Sequence, residues 1–132
     1  MGKLKLLAYL AFAGTLLISS CAKEDDENTG DARDKFVGSW KCTETENSNP
    51  PVTSTFTITI SKSSGSSVNI GNINNLGSSV QASALVSGNV MTINTQTIDN
   101  FSVSGTGNYS DNRIEMSYKV DNVNHTAVCT KN

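Results

Sequence analysis

Residues 53–60 read Thr-Ser-Thr-Phe-Thr-Ile-Thr-Ile, which puts Phe56, Ile58 and Ile60 on one face and threonines on the other. A period of two over this length specifies an antiparallel strand with one face buried and one in water. Other runs follow at short intervals, each bounded by Gly, Asn, Asp or Ser: Ser39 to Glu46, Ser67 to Gly71, Val80 to Val86, Val90 to Asn94, Phe101 to Tyr109, Arg113 to Val120 and Val123 to Thr130. Together they predict about eight strands joined mostly by hairpin turns, an all-β antiparallel meander closed as a barrel or stacked as a sandwich. Asp31 to Val37 predicts one short helical turn ahead of the first strand, and no helical period of any length follows Lys23.

The N-terminus reads differently. Lys3 and Lys5 precede Leu6 to Ile18, an uncharged, largely apolar stretch of 13 residues. A bilayer-spanning helix needs about 20. A basic start, a short apolar core and small residues at its exit are instead the parts of a secretory signal. Ile18-Ser19-Ser20-Cys21 resembles the bacterial lipobox, an aliphatic residue and two small ones before the cysteine that receives a diacylglyceryl thioether. That resemblance implies a signal peptide over 1–20 and lipidation at Cys21, anchoring the mature chain to a membrane. Lys23, Glu24, Asp25, Asp26 and Glu27 follow, a run too polar to bury apolar area. It is similar to the surface-export signal of Bacteroidota lipoproteins, which implies an outer-membrane location facing the cell surface. Residues 21–35 are then a lipidated acidic tether and linker, and residues 36–132 one folded domain.

Cleavage before Cys21 leaves 112 residues with eight basic and 12 acidic side chains, about −4 in all. That length suits one domain. No basic patch survives to neutralise phosphates, so no nucleic-acid partner is expected.

The cysteines favour the barrel. Setting Cys21 aside leaves Cys42 in the first predicted strand and Cys129 in the last. In a closed meander those strands are neighbours, and a disulfide there would staple the seam in an oxidising compartment. Closing so long a loop would contribute about 4–5 kcal/mol by chain entropy. Two unpaired thiols are the alternative; a metal pair lacks the ligand spacing.

Phe36-Val37-Gly38-Ser39-Trp40 delivers Gly-x-Trp into the first strand and resembles the opening of lipocalin-like barrels. Ile70 to Gly77, Val86 to Ile93, Val103 to Gly107 and Ile114 to Tyr118 are similar to small lipocalin-like lipoproteins of Bacteroidota. The resemblance implies a lipocalin-like barrel with the tryptophan closing one end. Gly38-Ser39-Trp40 is also similar to biotin-binding barrels, but the single tryptophan supplies none of their other ligand-packing indoles.

No catalytic residue, metal site or cofactor is expected, and the chain is read as a non-enzyme. His125 is the only histidine and reads as a surface or edge residue; Glu44 and Glu46 share a strand face that solvation explains, with Asp34 as a conceivable neighbour. No Gly-x-Ser-x-Gly elbow is present. Eight-stranded barrels are either filled by their own side chains or hold one small ligand. The inward set predicts a mostly full interior, with Ala82, Ala84, Gly105 and Gly107 as the places where a pocket could open and Trp40, Phe56, Met116 and Tyr118 as ligand candidates. The expected role is a binding domain for a small apolar ligand or glycan fragment. The alternatives are a protein-binding module, such as a protease inhibitor preceded by a flexible segment, and a purely structural surface lipoprotein.

Overall fold

Eight strands alternate inward and outward and close on themselves. In the computed structural model, which describes residues 30–132, they are β1 (Gly38–Glu46), β2 (Val52–Lys62), β3 (Ser67–Gly71), β4 (Gln81–Ser87), β5 (Val90–Ile98), β6 (Phe101–Ser110), β7 (Arg113–Val120) and β8 (Val123–Lys131). Each pairs antiparallel with the next, and β1 pairs with β8, so the sheet is a closed barrel and not a sandwich. The expected signal peptide over 1–20, Cys21 and the run from Lys23 to Glu27 lie outside the described residues.

Local chemistry sets the turns. Asp99-Asn100 and Asp111-Asn112 hold positive φ at both positions, the requirement of a two-residue turn whose twist matches its strands. Asn and Asp tolerate that region far better than other residues with a Cβ. β5 runs four residues beyond its predicted end because the pairing with β6 shifts between Ile93 and Gln96. A bulge there breaks the alternation that would have extended the strand. On its other side β5 pairs with β4 only from Leu85 to Ser87. Beyond that, the Gln96 amide bridges the gap: its Oε1 accepts from Ser83 N and its Nε2 donates to Ser83 O, both at 2.8 Å.

The two ends of the barrel differ. A 3-10 turn, Ala32–Lys35, caps one end. Arg33 donates to the carbonyls of Ser63 and Ser67 at 2.8 and 3.2 Å, Lys35 donates to Asn89 at 2.5 Å, and Asp34 pairs with Lys62 at 2.6 Å. Phe36 is driven into this end, fully buried. Here Trp40 Nε1 donates to Phe36 O at 2.7 Å, and Lys131 Nζ lies 4.3 Å from the indole centroid while donating to Val37 O. Residues 32–36 therefore pack onto this end of the barrel. At the other end, a second 3-10 turn, Ile73–Asn75, pushes Ile73 into the interior. Asn72 fastens that loop by donating to Thr57 O and accepting from Gly77 N, each at 2.8 Å.

Between the ends the interior is full, and the small residues do not open it. A Cβ on Gly105 would lie 2.3 Å from Tyr118 Cβ and 2.4 Å from Ser117 O; one on Gly107 would lie 2.9 Å from Met91 Cε. The space each glycine leaves is taken by a large side chain from a neighbouring strand.

Cys42 and Cys129 form the expected disulfide. They are direct partners in the β1–β8 register, with Cα atoms 4.0 Å apart.

Candidate functional site

Alternation along β1 sends Trp40, Cys42 and Glu44 inward in turn. The first lies at the plugged end and the third near the open one. Glu44 is only 3% exposed, so the expectation of a solvated carboxylate fails. Asp34 is not its neighbour either, being held by Lys62 beside the opposite end. Glu44 sits across from Ala127 on β8, while His125 and Tyr118 are partners across β8 and β7. The Tyr118 hydroxyl donates to Glu44 Oε1, and its ring stacks on His125 with centroids 5.3 Å apart and planes at 17°. Gly105 makes this possible, since any side chain there would displace Tyr118.

His125 is 5% exposed, not a surface residue. Its Nδ1 lies 2.7 Å from Glu44 Oε2. The contact is a buried carboxylate–imidazole pair, an ion pair when the ring is protonated. Burial, reinforced by the hydrogen bond to Glu44 and by its charge, pushes the Tyr118 phenol far above its ordinary value of 10.0, against a smaller opposite pull from the Asn74 backbone. Tyr118 is thus a fixed neutral donor, because ionising it would put two anions side by side in a dry site.

Above this cluster the barrel mouth opens into a cavity of about 300 Å³. Glu44 and His125 line it together with Glu46, Ser54, Asn74 and Asp121, while Val52, Phe101, Val120 and Val123 supply an apolar wall. Among the described residues no group of His, Cys, Asp and Glu is arranged to hold a metal ion.

The four ligand candidates from the sequence are dispersed. Trp40 is sealed at the plugged end. Phe56 is half-buried opposite Cys42 in the β1–β2 register. Met116 is buried where it covers the gap at Gly107. Tyr118 belongs to the cluster beneath the cavity through its bond to Glu44. None of the four lines the cavity itself. Strand parity was the signal for the residues that do form the site: Glu44 shares a face with Cys42, and His125 with Cys129.

No protein-family model matches the chain, and no curated protein matches it. Among solved structures, a variant of the fluorescent protein UnaG is similar over 74% of this chain and 96% of that one, with 15% identity and a TM-score of 0.46. A redesigned β-barrel is similar over 77% of this chain and 96% of that one, with 15% identity and a TM-score of 0.60. At that identity the likeness to the redesigned barrel shows the fold alone: this chain is a small closed β-barrel.

Proposed function

We propose that the chain is a lipid-anchored lipoprotein of the outer membrane, displayed at the cell surface, whose barrel binds a small ligand in its open mouth. The observation that carries the binding half is the asymmetry of the barrel. One end is plugged by Phe36 and Trp40, whereas the other holds a cavity of about 300 Å³ over a buried polar cluster. Small-molecule sites have this character, an apolar wall with a few fixed polar groups. The lining narrows the ligand from the apolar molecule expected at first to one with a polar group for Glu44 and His125 and an apolar part for Phe101 and the valines. Binding is proposed rather than catalysis, because both Glu44 oxygens are already engaged, one by the Tyr118 hydroxyl and one by His125.

The anchoring half rests on the signal-like N-terminus and the lipobox ending at Cys21. Two measurements test the proposal. Fragment screening by amide chemical shifts should move Ser54, Asn74 and His125 together; hits that move only the barrel's outer face would overturn mouth binding. Intact mass of the membrane-extracted protein should show acylation at Cys21, and an unmodified soluble product starting elsewhere would remove the anchor.

A further inference from the structure

Among the described residues, two buried apolar side chains are not carried on a strand, Phe36 and Ile73, and they sit at opposite ends of the barrel. Phe36 is bolted down. The turn that delivers it is tied to distant strands and turns through Arg33, Asp34 and Lys35, and the Trp40 indole holds its carbonyl. Ile73 is buried nearly as fully, but its fastening is of another kind. Asn75 N donates to Asn72 O and Leu76 N to Ile73 O, each at 3.0 Å, so these bonds close within the loop itself. The loop hangs from a neck at Asn72, whose N donates to Val80 O at 3.0 Å and whose side chain donates to Thr57 O. On the mouth side of Thr59, β2 has no pairing with β3, so the loop can leave without breaking a strand ladder. Asn72, Asn74 and Asn75 hold φ of 65°, 55° and 59°. At the Asp-Asn pairs such values are what a two-residue hairpin turn requires; the longer connection from β3 to β4 makes no such demand. Left-handed backbone at residues with a Cβ persists only where the surroundings hold it. Asn is also the residue type that leaves that region for the right-handed one, and returns, at least cost.

We infer that residues 73–76 are a flap that the ligand displaces: Ile73 fills the place that the ligand's apolar part takes, and swings out about Asn72 as the ligand enters. This rests on the proposal that the mouth binds a small ligand. Asn74 lines the mouth cavity, and its backbone reaches the Tyr118 hydroxyl. The flap therefore lies over the Glu44 cluster. The cavity of about 300 Å³ is at the small end of ligand sites, and the strand-borne side chains beneath it leave no further room. Withdrawing Ile73 adds the volume of its side chain to the cavity while every strand stays in place. Asn74 and Asn75 relax to the right-handed region as the flap opens, which offsets part of the burial that Ile73 gives up. The ligand's apolar surface replaces the rest. Empty, the barrel is thus closed by its own side chain, and a ligand binds more weakly in proportion to how seldom the flap is open.

The test uses the full chain and N-phenyl-1-naphthylamine, a neutral apolar probe that brightens on leaving water. Amide shifts at Ser54 and His125 report occupancy of the mouth. With the probe bound, the Ile73 methyl resonances should move to solvent-exposed positions. The Asn75 and Leu76 amides should exchange about tenfold faster, because their bonds to Asn72 O and Ile73 O are lost. The Tyr109 amide, bonded to Asn89 O near the plugged end, should not change. Ile73→Ala should bind the probe about tenfold tighter than the unaltered chain, since the competing side chain is gone. Should that variant fail to fold, the exchange measurement on the unaltered chain decides alone. Shifts at Ser54 and His125 with Ile73, Asn75 and Leu76 unmoved, or Ile73→Ala binding no tighter, overturn the flap and leave mouth binding standing. No shift at the mouth in either chain overturns both.

Discussion

Cys42 and Cys129 face each other across the seam where the first and last strands meet, with 4.0 Å between their Cα atoms. The bridge spans 87 residues of chain and closes a barrel already closed by hydrogen bonds. Removing it frees the unfolded chain more than it disturbs the folded one. The double change Cys42→Ala with Cys129→Ala should therefore lower stability by about 2–5 kcal/mol. Urea unfolding checks this, and a midpoint equal to that of the disulfide form would refute it.

Gly105 is irreplaceable for a backbone reason. A Cβ there would press on Tyr118 Cβ and the Ser117 carbonyl at 2.3 and 2.4 Å, and the carbonyl cannot rotate away as a flexible side chain would. Gly105→Ala should cost about 3 kcal/mol, the upper part of the range for overpacking. Gly107→Ala should cost less, because its nearest neighbour is the flexible Met91 terminus. A reversed order in thermal unfolding would show that β6 and β7 are farther apart than described.

Tyr118→Phe should remove the donor to a buried carboxylate and cost about 1–3 kcal/mol at neutral pH. It also changes the alkaline limb of stability. The folded state holds the Tyr118 proton above the ordinary phenol value of 10.0 while the unfolded chain releases it there. The unfolded state thus binds fewer protons above that pH, and stability falls as pH rises, by up to about 1.4 kcal/mol per unit from this group. Below it the contribution is fully present. The variant lacks this component, so the gap between wild type and Tyr118→Phe should narrow above pH 10. A gap constant with pH would contradict the buried neutral phenol.

The Gln96 amide stands in for a missing stretch of backbone pairing, donating to and accepting from Ser83. Gln96→Ala should destabilise the barrel by only about 0.5–1.5 kcal/mol, as these bonds are exposed. Its clearer mark should be faster hydrogen exchange at the Ser83 amide with little change elsewhere. Exchange spread evenly over β4 and β5 would mean that the side chain is not the local clasp.

Replacing Lys23 to Glu27 with alanine should reduce accessibility of the protein to protease added outside intact cells while leaving the barrel's thermal unfolding unchanged. Unaltered accessibility would leave that run as a spacer.

Strand number, turn positions and the closing disulfide were legible because each rests on local chemistry: the alternation at Phe56–Ile60, the Asp-Asn turns and the two end-strand cysteines. The site was not. Parity alone would have placed Glu44 with Cys42 and His125 with Cys129, but a charged residue on an inward face is ordinarily assumed to sit at a wet rim. What brings Glu44 to Tyr118 is the register across three strands, which no single stretch of sequence shows. The glycines misled for a related reason. Gly105 and Gly107 read as empty space in one strand and are filled from the strands beside it. Ile73, buried at the mouth end, was hidden inside an asparagine-rich run that reads simply as a turn.

Trp40 is the single tryptophan of the chain, and it lies fully buried at the plugged end between the Phe36 carbonyl and the Lys131 ammonium. Four residues of extended strand, about 13 Å, separate it along β1 from Glu44 at the mouth. All indole emission therefore originates at the far end from the cavity. Its wavelength will shift when Phe36 and Lys131 loosen and water reaches the ring, and will stay still while a ligand fills the mouth. The molecule carries one optical reporter, and that reporter watches the stopper, not the opening.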